Sequence, residues 1–299
     1  MKALFACLLV SLVWGTTASA CDLTLDARSD EIAGYVNAGR SCLQTPPPGL
    51  KFASEIERGF IDRINAERQA RGLSILKVRT QLQPAARFHS LDMSRNAFFE
   101  HQGPDGRKAV DRIAAFDRSL LAQSTAENIA VLGPTTCFDH NDQKLDCDSV
   151  PGFAPPTEDY VVDDLHQRLM QSPGHRDNIL APDSTHLAVG VARTKSGFWV
   201  TQLFANQVGT LPAPLALQLR RDQADIVDPD LPGWGFAGAS LQGTDQTLHK
   251  FETAPLGTMK LIVRGKTERE EKRGRETYIV TQWLDLSGPA LTLAPAKEN

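Results

Sequence analysis

The chain has 299 residues, 41% of them hydrophobic and 23% charged, with a net charge of −4 and a pI near 6.0. That balance excludes wholesale disorder, and the lack of a polycationic composition excludes a dedicated nucleic-acid binder. The length corresponds to about two domains.

Residues 1–20 read as a signal peptide: Lys2 supplies the positive start, Ala3 to Trp14 a short apolar run, and Ala18-Ser19-Ala20 a small-residue cleavage site. The run is too short to span a bilayer, and no later stretch reaches about 18 apolar residues, so no transmembrane span is expected. The mature protein is expected to be secreted or periplasmic. Cys21 follows the cut, so Ala18-Ser19-Ala20-Cys21 also reads as a poor lipobox; a lipid anchor there would leave Cys42 a free thiol. With Cys7 removed, Cys21, Cys42, Cys137 and Cys147 remain, an even set that reads as disulfides in an exported chain. Three pairings are open, and closure over short loops favours Cys137–Cys147 together with Cys21–Cys42.

Residues 21–53 form an N-terminal segment and linker that stiffens at Pro46-Pro47-Pro48-Gly49. From residue 54 the apolar period becomes helical, with Ile56, Phe60, Ile61 and Ile64 on one face and Gly72 placed to end the helix. Further helices are predicted over 81–96 and 157–170, then a short one with Ser172 as N-cap and Pro173 at N1. The strand-like runs His186–Arg193 and Phe198–Ala205 follow, joined by Lys195-Ser196-Gly197. Together these predict an α+β domain over 54–208.

Beyond Pro212 and Pro214, short strand-like runs separated by Gly, Pro and Asp turns predict a small antiparallel β-sandwich over 210–299. In it Leu261, Val263, Ile279 and Trp283 are expected to face inward. Lys266 to Arg275 mixes both charge signs around Gly274 and reads as a solvated hairpin tip.

Six landmarks occur in order in the first domain: FIDRINAER (60–68), AARFHSLDM (85–93), FFEHQGPDG (98–106), AENIA (126–130), SPGHRDNIL (172–180) and FWVTQLFA (198–205). The series resembles the CAP superfamily (cysteine-rich secretory proteins, antigen 5 and pathogenesis-related 1 proteins), in its bacterial SCP-like branch. The resemblance spans about residues 54–207 and implies a three-layer α-β-α sandwich with a central cleft. In eukaryotic members that cleft carries two histidines and two acids. Here His101 and His175 match the histidines and Glu127 the first acid, while the position of the second acid falls near Ser172, which is not acidic.

Through the resemblance, His101, Glu127 and His175 form a candidate set for a divalent metal such as zinc. The residue chemistry is compatible with this: His175, at the third position of its helix, sits in a field that disfavours imidazolium. Two neutral imidazoles and a carboxylate then leave one zinc position for water. Glu100 reads either as a carboxylate orienting a ring or as a surface charge, Ser172 as a cap, and His89 as a core histidine with a satisfied ring. Three functions follow. The first is a non-enzymatic exported module that binds a small apolar ligand, a lipid or a partner. The second is a metal-dependent hydrolase with Glu127 as general base. The third is a platform whose C-terminal strands dock a cell-envelope protein.

Overall fold

In the computed structural model, which describes residues 21–22, 24, 31–134, 137–138, 143–145, 156–223 and 228–297, the segment before the proline run is itself a helix, α1 (Ile32–Gln44). It buries Ile32, Tyr35, Val36, Gly39 and Cys42 along one side, the i, i+3, i+4, i+7 spacing of an amphipathic helix. Cys42 is bonded to Cys21, with Cα atoms 4.4 Å apart, as expected. The signal peptide expected over 1–20 lies outside the described residues, as does Cys147 of the other expected bridge.

After β1 (Lys51–Phe52), the helical period at 54 produces α2 (Ser54–Gln69), with Ile56, Phe60 and Ile64 buried and Gly72 at φ +72° just past its end. There follow β2 (Lys77–Val78), α3 (Gln83–Asn96), α4 (Ala109–Phe116) and a long strand, β3 (Leu120–Leu132). The short pair β4 (Cys137–Phe138) and β5 (Lys144–Leu145) precedes α5 (Glu158–Gln171) and α6 (Pro173–Leu180). The predicted hairpin is β6 (His186–Thr194) and β7 (Gly197–Thr210). Gly190 of β6 is obligatory: a Cβ there would fall inside van der Waals contact with the α3 backbone at Ala86 and Arg87, so helix and sheet touch main chain to main chain.

Strand alternation divides the core. Leu187, Val189 and Val191 of β6 pack with Ile56, Phe60 and Ile64 of α2 and Val161 and Leu165 of α5. Their neighbours Ala188 and Ala192 belong to a second cluster with Tyr35 of α1, Phe88 of α3 and Phe116 of α4. Helices therefore cover both faces of these strands. No helix among the described residues is long and apolar enough to cross a membrane.

The remaining strands are β8 (Gln218–Arg220), β9 (Gly235–Gln242), β10 (Leu248–His249), β11 (Gly257–Arg273) and β12 (Glu276–Ala294). Helices combined with a mainly antiparallel sheet match the expected α+β class, but among the described residues the C-terminal strands do not form a separate pair of sheets. They continue the first sheet in the order β1-β6-β7-β3-β12-β11-β9-β10, joined where Ser287 of β12 pairs with Ala122 of β3. The physical reason is that β12 has two partners to satisfy. Leu291 and Leu293 pack with Leu241 and Met259, whereas Ala290 joins the cluster beneath α1 and α4. Arg118 fastens the join. Its guanidinium donates to the carbonyls of Leu215 (3.0 Å), Ala216 (2.9 Å) and Ala290 (2.5 Å), and burial lowers its pKa to about 10.

Leu261 and Val263 are buried as expected, but Ile279 and Trp283 are not: they are 70% and 58% exposed. The β11–β12 hairpin runs past the end of β9, whose pairing stops at Lys266, so among the described residues no further strand pairs with its outer part. Gly274, at φ +67°, makes the expected turn.

Candidate functional site

Glu127 lies in β3, and its carboxylate is all but enclosed. One oxygen, Oε1, is 2.9 Å from His101 Nδ1; the other, Oε2, accepts from Arg112 Nη2 at 2.6 Å. Arg112 comes from the buried side of α4 and also donates to the carbonyls of His101 (2.9 Å) and Arg107 (2.8 Å). One guanidinium thus fixes both the carboxylate and the loop that carries the histidine. The His101 side chain is 56% exposed, against 3% for Glu127.

The charges reinforce this arrangement. Burial pushes the Glu127 carboxyl upward, but the hydrogen bond from His101 and the nearby Arg112 and His89 outweigh it, and the net shift is downward. His101 is raised, first by its hydrogen bond to Glu127, against a smaller opposing effect of burial. An ionised carboxylate accepting from Nδ1–H leaves Nε2 as the ring's working nitrogen. His101, Glu127, Glu100, Gln102 and Lys108 border an open cleft of about 480 Å³ whose apolar part is Ala109, Val110 and Ala126.

His89, fully buried on α3, lies behind this pair. Its Nε2 bonds the Glu100 carbonyl at 3.0 Å and stands 3.9 Å from Glu127 Oε1, while Nδ1 has no partner among the described residues. The ring is therefore only half satisfied, and it borders the site as well as the core. Burial first, then Arg112, lowers its pKa to about 3, so it is neutral. His175 is the third residue of α6 and is lowered by burial and then by the charge of His101. Its carbonyl accepts from Asn128, which with Asn178 and Gln202 ties α6 to β3 and β7. His175 and Ser172 do not line the cleft. Ser172 marks the joint between α5 and α6 and makes no side-chain capping bond.

The expected metal set does not assemble. Among the described residues no three His, Cys, Asp or Glu side chains come together to hold an ion. The chemistry explains why: both Glu127 oxygens are engaged, and Arg112 places a positive charge where a divalent cation would bind. Sequence reasoning missed Arg112. The available signal was an arginine followed directly by the apolar run Ile113-Ala114-Ala115-Phe116 of its helix, a place that paired burial can accommodate.

Residues 61–204 match the family model of the cysteine-rich secretory protein family, CAP. An uncharacterised Bacillus subtilis protein, YkwD, is 32% identical over 149 residues, half of this chain, and the chain spans 47% of that relative's length. Among solved structures, an outer surface protein from Borrelia burgdorferi is 16% identical with a TM-score of 0.40, covering 52% of this chain and 98% of its own. An extracellular SCP-domain protein from Bacillus anthracis is 25% identical with a TM-score of 0.38, covering 52% and 41%. The ordered landmarks and the family match agree on the same stretch, and the chain carries a CAP domain of the cysteine-rich secretory protein family.

Proposed function

We propose that this is an exported CAP-domain protein whose cleft binds a small amphiphile, with the oxygen-bearing head of the ligand at His101. One observation carries the reading: a half-exposed imidazole, oriented by a buried carboxylate, borders an open cleft. Below its raised pKa, His101 presents an Nε2–H that donates to a carboxylate or carbonyl oxygen. Lys108 adds a second positive group at the rim, and Ala109, Val110 and Ala126 receive the apolar part. The Cys21–Cys42 bridge supports an oxidising compartment, hence a secreted or periplasmic location. No step through a metal follows from a donor set that already holds Arg112.

The test is titration with decanoate, followed through the imidazole signals of His101 by NMR. The shifts should saturate, and His101→Ala should abolish binding. A flat titration of the unaltered protein refutes the reading, and stoichiometric zinc together with a hydrolytic activity lost in His101→Ala would restore the metal-dependent hydrolase.

A further inference from the structure

The outer part of the β11–β12 hairpin has two different edges. On β11, every residue from Lys266 to Arg273 except Thr267 is charged, the usual protection of an unpaired edge. On β12, no residue from Thr277 to Leu284 is charged, and the run contains neither Pro nor Gly. Among the described residues β12 pairs outward only at Ser287, with β3, and at 292–294, with β8. Its edge over 277–284 is therefore open, uncharged and rich in strand formers, with Tyr278, Ile279 and Trp283 at 45%, 70% and 58% exposure. Ile279, Thr281 and Trp283 share one face of the ribbon.

We propose that this edge pairs with a second copy of the same chain, β12 against β12, antiparallel about a two-fold axis at Thr281. The register follows from the side chains. With Thr281 opposite Thr281, Ile279 of each copy faces Trp283 of the other, an aromatic–β-branched cross-strand pair formed twice. Asp285 then stands opposite Thr277, in the same row as Lys272, which pairs with Thr277 on β11. The two opposite charges lie two strands, about 10 Å, apart.

The pairing also closes. Both outer edges of the four-stranded ribbon are charged β11 strands, so association stops at two copies. Nine paired residues on each side, 277–285, bury less than the roughly 1,200 Å² of a standard interface, so the dimer is weak and concentration-dependent.

Sedimentation velocity on the full mature chain, from about 1 to about 500 μM, should show a reversible monomer–dimer transition. Thr281→Lys sets like charges face to face on the axis and should raise Kd at least tenfold; because it also replaces the Thr281 hydroxyl that bonds Glu268 across the ribbon, the melting temperature of the dilute monomer is measured beside it. Thr281→Cys, directly opposite itself, should form an interchain disulfide on mild oxidation, whereas Val280→Cys, on the other ribbon face and off the axis, should not. A chain that stays monomeric throughout, a Thr281→Lys variant that dimerises like its parent, or equal cross-linking at 280 and 281 would overturn the proposal.

Discussion

Replacing Arg112 by methionine removes the counter-charge of Glu127 while retaining most of the volume. Both side chains are 3% exposed and 2.6 Å apart. Breaking such a pair from one side costs up to about 3–5 kcal/mol, because the remaining buried charge keeps only the His101 hydrogen bond. The pH dependence carries the sharper signature. In the native protein the Glu127 pKa is lowered, so its contribution is present above the ordinary value of 4.5 and is lost as pH falls through the lowered pKa. Without the guanidinium, burial, already the largest influence, is opposed only by His101 and His89, and the pKa moves up from its native position. The stability that Glu127 contributes above the ordinary value then shrinks with its remaining downward shift. The stability gap between parent and variant should therefore be widest near neutrality and should narrow on acidification. Urea unfolding followed by tryptophan fluorescence at about pH 5 and about pH 7.5 measures it. Adding Glu127→Gln should recover most of the neutral-pH loss, since it removes the stranded charge. A gap that is constant or grows in acid, or a double variant no better than the single, refutes the assignment of Arg112 as the counter-ion.

His89 is held neutral, with a pKa of about 3 against 6.5 when unfolded, so its contribution is present above 6.5 and is lost as pH falls from there. His89→Leu should flatten the acid slope of stability by about 3 kcal/mol between about pH 6.5 and 4.5, as read from urea midpoints. Reducing the Cys21–Cys42 bridge, or replacing both cysteines by serine, should cost about 3 kcal/mol, the loop-closure value for its separation of 21 residues, measured by calorimetric melting. A chain ending at Thr210 keeps the two clusters around β6 and β7 except for Ala290 and Leu217 and should still melt cooperatively. It should do so at a lower temperature, because Arg118 loses the Leu215, Ala216 and Ala290 carbonyls; a molten truncation would show that the later strands belong to the core of the earlier ones.

Legibility followed local signals. α2, α3, α5 and α6 repeat apolar residues at helical spacing or start at a Ser-Pro boundary, and β6 and β7 flank a turn, so each could be read from a short window. α1 carried the same period but was overshadowed by the prolines after it. β3 was harder: it holds Glu127 and Asn128 in mid-strand, polar residues that burial tolerates only because partners from α4 and α6 meet them there. His101 and Glu127 were singled out through the ordered landmarks, but as metal ligands with His175 and not as a hydrogen-bonded pair. Arg112 was not, since its role depends on an α4–β3 contact that no spacing encodes. Ile279 and Trp283 alternate as core residues do, but alternation does not reveal that β9 stops short of them.

The place of β12 in the sheet sets the order in which the chain can fold. β3 lies between β7 and β12, so until residues 276–294 are available one edge of a central strand stays open, and α1 and α4 lack part of the surface they cover. Ser287 must find Ala122 across more than half the chain, a closure of high contact order that is slow by nature. Until that step the molecule resembles its own truncated form, with an unpaired strand edge exposed to its neighbours. Refolding in vitro should therefore be limited by arrival of β12, and yields should fall as concentration rises.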